Sequence, residues 1–203
     1  MVKRYAAAAG LSVFFLMSLT TASWATTLLQ MSIDKMSAEA AAVVVGEVTD
    51  MTSEWSPDQT AIFTTITIKV ATCVAGECGD TMLVKQRGGT VGEATFYIPG
   101  MPKFSRGQKV LLFLDHSYEG EAGYYSVIGM CQGMFVIDKE KTSGIKFAVQ
   151  QGGAALAGAG ADGVIRVLGS GEQKPMKIPL KKLIKKIQNA IVTLSKAKAK
   201  EKK

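Results

Sequence analysis

The clearest pattern along the chain is an alternation of apolar and polar side chains between residues 60 and 74. Period two over so many residues is typical of a β-strand with one buried face. One polar residue, Thr64, interrupts the apolar row. The apolar row is Ile62, Ile66, Ile68 and Val70, and the opposite row is Thr65, Thr67 and Lys69. The run therefore predicts one long strand.

Similar short runs, separated by glycine- and proline-containing turns, predict an otherwise β-rich domain. A short helix is predicted over residues 34–42, directly before the first strand. No helices alternate with the strands, so a nucleotide-binding α/β sheet is disfavoured. The expected fold is mainly β, a small antiparallel OB-like barrel with a C-terminal amphipathic helix. The other predicted strands are 43–48, 81–87, 94–98, 110–115, 124–130, 134–138 and 145–149.

Residues 1–25 have the features of a secretory signal peptide. Lys3 and Arg4 precede an apolar stretch, and Ser23-Trp24-Ala25 places small residues where a signal peptidase cleaves. The alternative is an uncleaved anchor, which the short apolar run disfavours because about 20 apolar residues span a bilayer. The expected mature chain begins near Thr26, in the periplasm or outside a bacterial cell.

The charge is distributed unevenly along the chain. The full sequence has 24 Lys and Arg against 17 Asp and Glu, a formal net charge of +7. Residues 174–203 contain 11 Lys and one acidic residue, Glu201, whereas residues 26–173 contain 11 basic and 16 acidic residues. The predicted barrel is therefore acidic, and a nucleic-acid-binding fold is not expected.

The basic C-terminal part divides into two predicted segments. Residues 174–194 have apolar side chains at three- and four-residue steps and lysines on the other face, which predicts an amphipathic helix. The helix either docks on the barrel or lies on an anionic membrane surface. Residues 195–203 are predicted to form a disordered lysine-rich tail. The lysines of the polar face are Lys181, Lys182, Lys185 and Lys186.

Between the barrel, assigned to residues 26–150, and this helix lies a glycine-rich connection. Residues 151–173 are expected to be flexible because glycine is unfavourable in helices and central strands. A short edge strand over 164–168 is compatible with the sequence.

Several segments resemble an uncharacterised group of secreted bacterial β-barrel domains, some of which occur beside matrixin-type metallopeptidases. The strand order is also similar to OB-type and netrin-like barrels. The resemblance covers about residues 32–138 and the terminal helix, and it implies no activity. The segments are Val45–Val48 with Trp55, Gly88-Gly89, Gly100–Phe104, Gly107–Leu114 and Gln132–Val136.

The cysteines suggest one local disulfide. Cys73 and Cys78 flank a glycine-containing turn, and an oxidising compartment favours a bond between them. Cys131 is then expected to be a buried thiol. In the alternative, these three cysteines and His116, the single histidine of the sequence, bind zinc. No cofactor or metal is predicted.

No enzyme motif is found, and a nucleophile would have to rely on His116 as its base. Most aromatic residues are expected in the core, and Trp55 is singled out as a barrel lid or a contact residue. The leading hypothesis is an exported, non-catalytic binding or accessory protein of the cell envelope whose partner is a protein or envelope component. The alternatives are a membrane-surface factor acting through the terminal helix, and a small zinc protein or hydrolase.

Overall fold

A computed structural model describes the backbone of residues 27–116, 121–151, 155–159, 165–168 and 176–201. The predicted signal peptide lies outside the described residues, as does much of the glycine-rich connection. Two helices, one short 3-10 helix at Met130–Gly133 and thirteen strands are described. The helices are α1 (Ile33–Glu39) and α2 (Leu180–Glu201). The strands are β1 (Thr27–Leu29), β2 (Ala42–Trp55), β3 (Ile62–Gly76), β4 (Thr81–Arg87), β5 (Gly89–Val91), β6 (Ala94–Phe96), β7 (Lys109–His116), β8 (Tyr124–Val127), β9 (Met134–Lys139), β10 (Lys146–Gln150), β11 (Ala155–Ala159), β12 (Ile165–Leu168) and β13 (Lys177–Pro179).

The mainly β fold with a C-terminal helix is confirmed. The largest sheet has the strand order β13-β10-β9-β7-β2-β3-β4-β8, and β8 also pairs with β7. The strands β7, β2, β3, β4 and β8 therefore follow one another around a ring, which is the barrel-like part of the fold. The β4–β8 ladder is parallel and has only two residue pairs, Leu83 with Tyr124 and Val84 with Tyr125. The barrel is consequently partly open on that side, and it is not purely antiparallel.

Two hydrophobic clusters lie on opposite faces of the ring's central strands. One fills the interior and includes Val48, Ile66 and Val84. The other lies outside, between the sheet and both helices, and includes Phe113, Leu183 and Ile187. Residues Val110 to Leu114 of β7 serve both clusters, since all five are buried. This explains why β7 is a continuous apolar run, whereas β3 alternates.

Helix α1 is shorter than the predicted 34–42 because the chain becomes extended at Ala40 and enters β2. Its N-cap is Ser32, whose hydroxyl accepts a hydrogen bond from the Lys35 amide at 3.1 Å. Ile33 and Met36 are buried against the sheet. The helix therefore covers part of the outer cluster beside α2.

Helix α2 docks on the barrel through the apolar stripe seen in the sequence. Leu180, Leu183 and Ile187 are buried among residues of α1, β2, β7 and β9. The helix begins at Leu180 and continues to Glu201. The prediction of a disordered tail is therefore wrong for residues 195–201. The physical reason is that alanine, lysine and glutamate all favour helix, and an anchored helix propagates at little cost.

Other differences concern turns. Strand β2 extends to Trp55, beyond its predicted end at residue 48, because its second half pairs with β3. Strand β8 ends at Val127, three residues before its predicted end at residue 130. The reason is that Gly129 adopts a left-handed conformation at the start of the 3-10 helix. The Gly88-Gly89 loop leads into a small hairpin of β5 and β6. In the glycine-rich connection, the compatible edge strand at 164–168 is present as β12, which pairs with β11.

Candidate functional site

The predicted disulfide is present. Cys73 and Cys78 are bonded at the end of β3, with their Cα atoms 5.9 Å apart. Gly76 lies between them with φ of +78°, and a Cβ atom there would collide with the backbone of Ala41. The glycine thus allows the hairpin to lie against the chain entering β2.

This bond bears on the zinc hypothesis, because two of its four proposed ligands are joined to each other. Within the described residues, no group of three or more His, Cys, Asp or Glu side chains is placed to hold a metal ion. Cys131 is buried in the 3-10 helix, as expected, and takes no part in the disulfide.

His116 lies at the exposed end of β7. Its ring stacks on Tyr125 with centroids 5.7 Å apart, and its backbone N–H donates to the Asp115 carboxylate at 2.8 Å. In a catalytic triad the carboxylate accepts a hydrogen bond from the imidazole ring. The Asp115 carboxylate instead accepts one from the backbone N–H of His116. The neighbouring Ser117 lies outside the described residues.

Trp55 is the last residue of β2 and is 40% exposed. It follows Ser53 by two positions and so lies on the same face of the strand. The next turn is fixed by Asp58, which accepts hydrogen bonds from the hydroxyls of Ser56 and Thr60. These bonds lower the pKa of Asp58, and the hydroxyl of Ser56 contributes most. Trp55 thus stands at the base of an ordered turn.

The four lysines selected on α2 are all exposed, on the side opposite the buried stripe. Three of them, Lys182, Lys185 and Lys186, line a groove on the protein surface, whereas Lys181 does not. That groove has a volume of about 930 Å³ and runs between α2, α1 and β13. Its apolar lining includes Ala38, Ile178 and Leu194, and its basic residues are Lys35, Lys177, Lys182, Lys185 and Lys186.

One carboxylate belongs to this groove. Asp34 of α1 lies 4.0 Å from the ammonium of Lys186, with both side chains more than half exposed. An exposed pair at that distance contributes little energy, so Lys186 keeps most of its capacity to attract an anion. The lysine-lined groove is hereafter called the lysine groove.

A second concave site, a cavity of about 420 Å³ at one end of the barrel, was not predicted from the sequence. We call it the barrel mouth. It lies between the ends of β2, β3 and β4, the β5–β6 hairpin and the loop before Phe104. Its lining residues are Met51, Ser53, Thr64, Gln86, Arg87, Gly88, Gly89, Thr90, Thr95, Phe96, Tyr97, Ile98, Met101, Pro102, Lys103 and Phe104.

The buried Thr64 and the half-buried Ser53 form a polar floor in the barrel mouth. Thr64 donates its hydroxyl hydrogen to the Gly88 carbonyl at 2.6 Å, and Ser53 lies 2.8 Å from the Thr64 oxygen. Gly89 packs directly on this pair with φ of +143°, where a Cβ atom would lie 2.6 Å from the Ser53 hydroxyl. Thr64 was the polar residue that interrupted the apolar row of β3, and this interruption was the available sequence signal.

Two aromatic residues at this site also differ from the expectation. Most of the aromatic residues in or beside the strands were expected in the core, but Phe96 and Tyr97 are 48% and 65% exposed. Phe96 is the last residue of the β5–β6 hairpin and Tyr97 follows it, and this hairpin lies outside the ring, so the barrel interior does not enclose them. By contrast, Phe113 and Phe135 are buried, with ring centroids 6.1 Å apart.

An electrostatic cluster lies on the outer face of β4. The ammonium of Lys85 bonds both oxygens of Glu121 at 2.8 and 2.7 Å and lies 5.1 Å from the ring centre of Phe63 and 5.2 Å from that of Tyr124. The hydrogen bond to Glu121 raises the pKa of Lys85 above its usual 10.5, although partial burial opposes the rise. This cluster joins β3, β4 and the segment before β8 across the weakly paired side of the barrel.

Comparison with known proteins gives no relationship, because no protein-family model, curated protein or solved structure matches this chain. Among the described helices, neither has the combination of length and apolar character that crossing a membrane requires. The function is therefore inferred from the lysine groove.

Proposed function

We propose that this protein is an exported, non-catalytic accessory protein of the cell envelope that binds an anionic partner through the lysine groove. The observation that carries the proposal is the division of α2 into two faces. Leu183 and Ile187 are completely buried, so the helix is fixed on the barrel, while the lysines of the other face are exposed. A fixed helix presents its charges without the entropic cost of folding on binding.

The groove's composition defines the chemistry of the partner. Five lysines surround an apolar floor, and Asp34 is the one carboxylate in the lining. This contrasts with the acidic balance of residues 26–173. An anionic amphiphile or an acidic protein segment satisfies both the charge and the apolar floor, and a phospholipid or lipopolysaccharide of the envelope is the natural case. We do not expect nucleic acid as a partner.

Association with a membrane surface is the second candidate, and α2 limits its form. The apolar stripe is used in the core, so inserting it between lipids would require α2 to leave the barrel. Adsorption through lysine charges alone leaves the fold intact, and it weakens with salt because the charges are exposed.

Vesicle co-sedimentation tests the groove. The purified protein is mixed at low salt with phosphatidylglycerol vesicles, phosphatidylcholine vesicles or lipopolysaccharide. We expect binding to the anionic samples only, and loss of binding in the triple variant Lys182→Glu, Lys185→Glu and Lys186→Glu. A matched control reverses three exposed lysines elsewhere, Lys69, Lys109 and Lys141.

The control variant has the same net charge as the groove variant, so it should retain most of the binding. Equal losses in both variants would show that net charge, not the groove, is responsible. Absence of binding to both anionic samples would refute a phospholipid or lipopolysaccharide as the partner. Export is tested separately: mass spectrometry of protein from a periplasmic or secreted fraction should find Thr26 as the first residue.

A further inference from the structure

The barrel mouth is a second concave site, distant in sequence from the lysine groove and independent of the function proposed above. Its walls are fixed by long-range hydrogen bonds. The loop before Phe104 is held at Gly100 by the Cys131 amide at 3.0 Å, at Pro102 by the Gln86 side chain at 3.2 Å and at Lys103 by Gln151. A cavity of about 420 Å³ with prearranged walls has the size and position of many small-ligand sites in barrels.

The hydrogen bonds within the site determine which of its polar atoms can still bond a ligand. Thr64 uses its one hydroxyl hydrogen on the Gly88 carbonyl, so Ser53 must be the donor in the bond between the two hydroxyls. The Ser53 oxygen is left as an acceptor. The Gln86 Oε1 atom is buried and has no hydrogen-bond partner among the described residues, although its Nε2 atom donates to Pro102.

A ligand that supplies a hydroxyl or N–H hydrogen can therefore donate to the Ser53 oxygen, whereas the Gln86 oxygen is shielded by the surrounding atoms. Ser53 is among the residues that line the cavity, so the site suits a ligand that carries hydroxyl groups.

The rim supplies apolar ring faces and positive charge. Phe96 and Tyr97 are among the most exposed large apolar side chains in the described structure, and the Lys103 ammonium lies 5.7 Å from the ring centre of Tyr97. No carboxylate is among the lining residues, although the barrel as a whole is acidic. The negative face of an aromatic ring attracts C–H groups polarised by neighbouring oxygens, and the lysine attracts an anion.

We propose that the barrel mouth binds a saccharide unit that carries a carboxylate. A sugar ring offers C–H groups to Phe96 and Tyr97, a hydroxyl donor to Ser53, and its carboxylate to Lys103. A plain anion lacks the ring and the donors, and a neutral sugar lacks the charge. This ligand class meets all three features of the site.

Titration of the ¹⁵N-labelled protein, followed by amide chemical shifts, tests the proposal with three ligands. Trigalacturonate has the rings, hydroxyls and carboxylates, maltotriose lacks the charge, and triglutamate has the charge without the sugar rings. We expect trigalacturonate to bind more tightly than both, with shift changes concentrated at residues 86–104. Absence of trigalacturonate binding, changes confined to other residues, or equal affinity for either comparison ligand would each overturn the proposal.

Three variants identify the groups responsible. Phe96→Ala or Tyr97→Ala should weaken trigalacturonate binding by roughly 3- to 10-fold, and Lys103→Gln should reduce the preference over maltotriose by about threefold. Each side chain is at the surface, so the fold is retained. The control is Ile145→Ala, which removes a large apolar side chain that is 49% exposed on another part of the surface.

The lysine-groove variants provide a second control. They should bind trigalacturonate as the unchanged protein does, so failure of one site is distinguishable from failure of the other. If Phe96→Ala, Tyr97→Ala and Lys103→Gln all bind like the unchanged protein, the saccharide binds elsewhere and the proposal is wrong.

Discussion

The side chain of Gln151 forms two hydrogen bonds with the backbone of Lys103. The Lys103 amide donates to Gln151 Oε1 at 2.8 Å, and Gln151 Nε2 donates to the Lys103 carbonyl at 2.6 Å. The two residues are 48 positions apart, and Gln151 directly follows β10. A single side chain therefore ties the wall of the barrel mouth to a strand outside the ring.

We expect Gln151→Ala to release this wall without unfolding the protein. Two hydrogen bonds are lost at a partly exposed position, which should reduce the free energy of unfolding by about 1–2 kcal/mol. Amide hydrogen exchange at residues 97–104 should accelerate, while exchange in β3 stays slow. Gln188→Ala, at an exposed position of α2, is the control and should change neither measurement.

The disulfide should contribute modestly to stability because its loop is short. Replacing Cys73 and Cys78 together by Ser should lower the free energy of unfolding by about 2 kcal/mol, according to the loop-closure relation. Chemical denaturation with and without reductant measures the effect. Reductant should destabilise the unchanged protein by a similar amount and leave the double variant unaffected; sensitivity of the double variant would contradict this account.

Docking of α2 can be tested at one buried leucine. Leu183 is completely buried in the outer cluster, so Leu183→Ala should cost about 2–5 kcal/mol through lost apolar contact and the cavity left behind. Thermal unfolding followed by circular dichroism measures the loss. Val192 of the same helix is 50% exposed, and Val192→Ala should change stability by less than about 0.5 kcal/mol.

The sequence predicted those parts of the molecule that depend on local periodicity. The alternation in β3 correctly assigned Ile62, Ile66 and Ile68 to the interior, and the spacing of Cys73 and Cys78 indicated their bond. The spacing in α2 likewise predicted its buried stripe. Partial closure of the ring through β8 depends on pairing between distant strands, which no local pattern specifies.

The same limitation explains why the barrel mouth was missed. Ser53, Thr64, Gln86 and Phe96 belong to four strands, and they converge only when β2, β3 and β4 pair in their observed register. Each residue alone is an ordinary polar or aromatic strand residue. The lysine groove was easier to predict in part, since three of its five lysines come from one helix.

The last prediction concerns Lys85 and alkaline pH. Its pKa is raised in the folded protein by Glu121, so the charged form is favoured by folding. The resulting stabilisation should be fully present below the unfolded-state pKa of about 10.4 and should be lost as the pH rises through the higher folded-state value. Glu121→Gln removes the partner charge and should be less stable than the unchanged protein at pH 8. The difference between the two melting temperatures should shrink above pH 11, whereas a difference that is constant from pH 8 to pH 12 would exclude titration of Lys85 as its source.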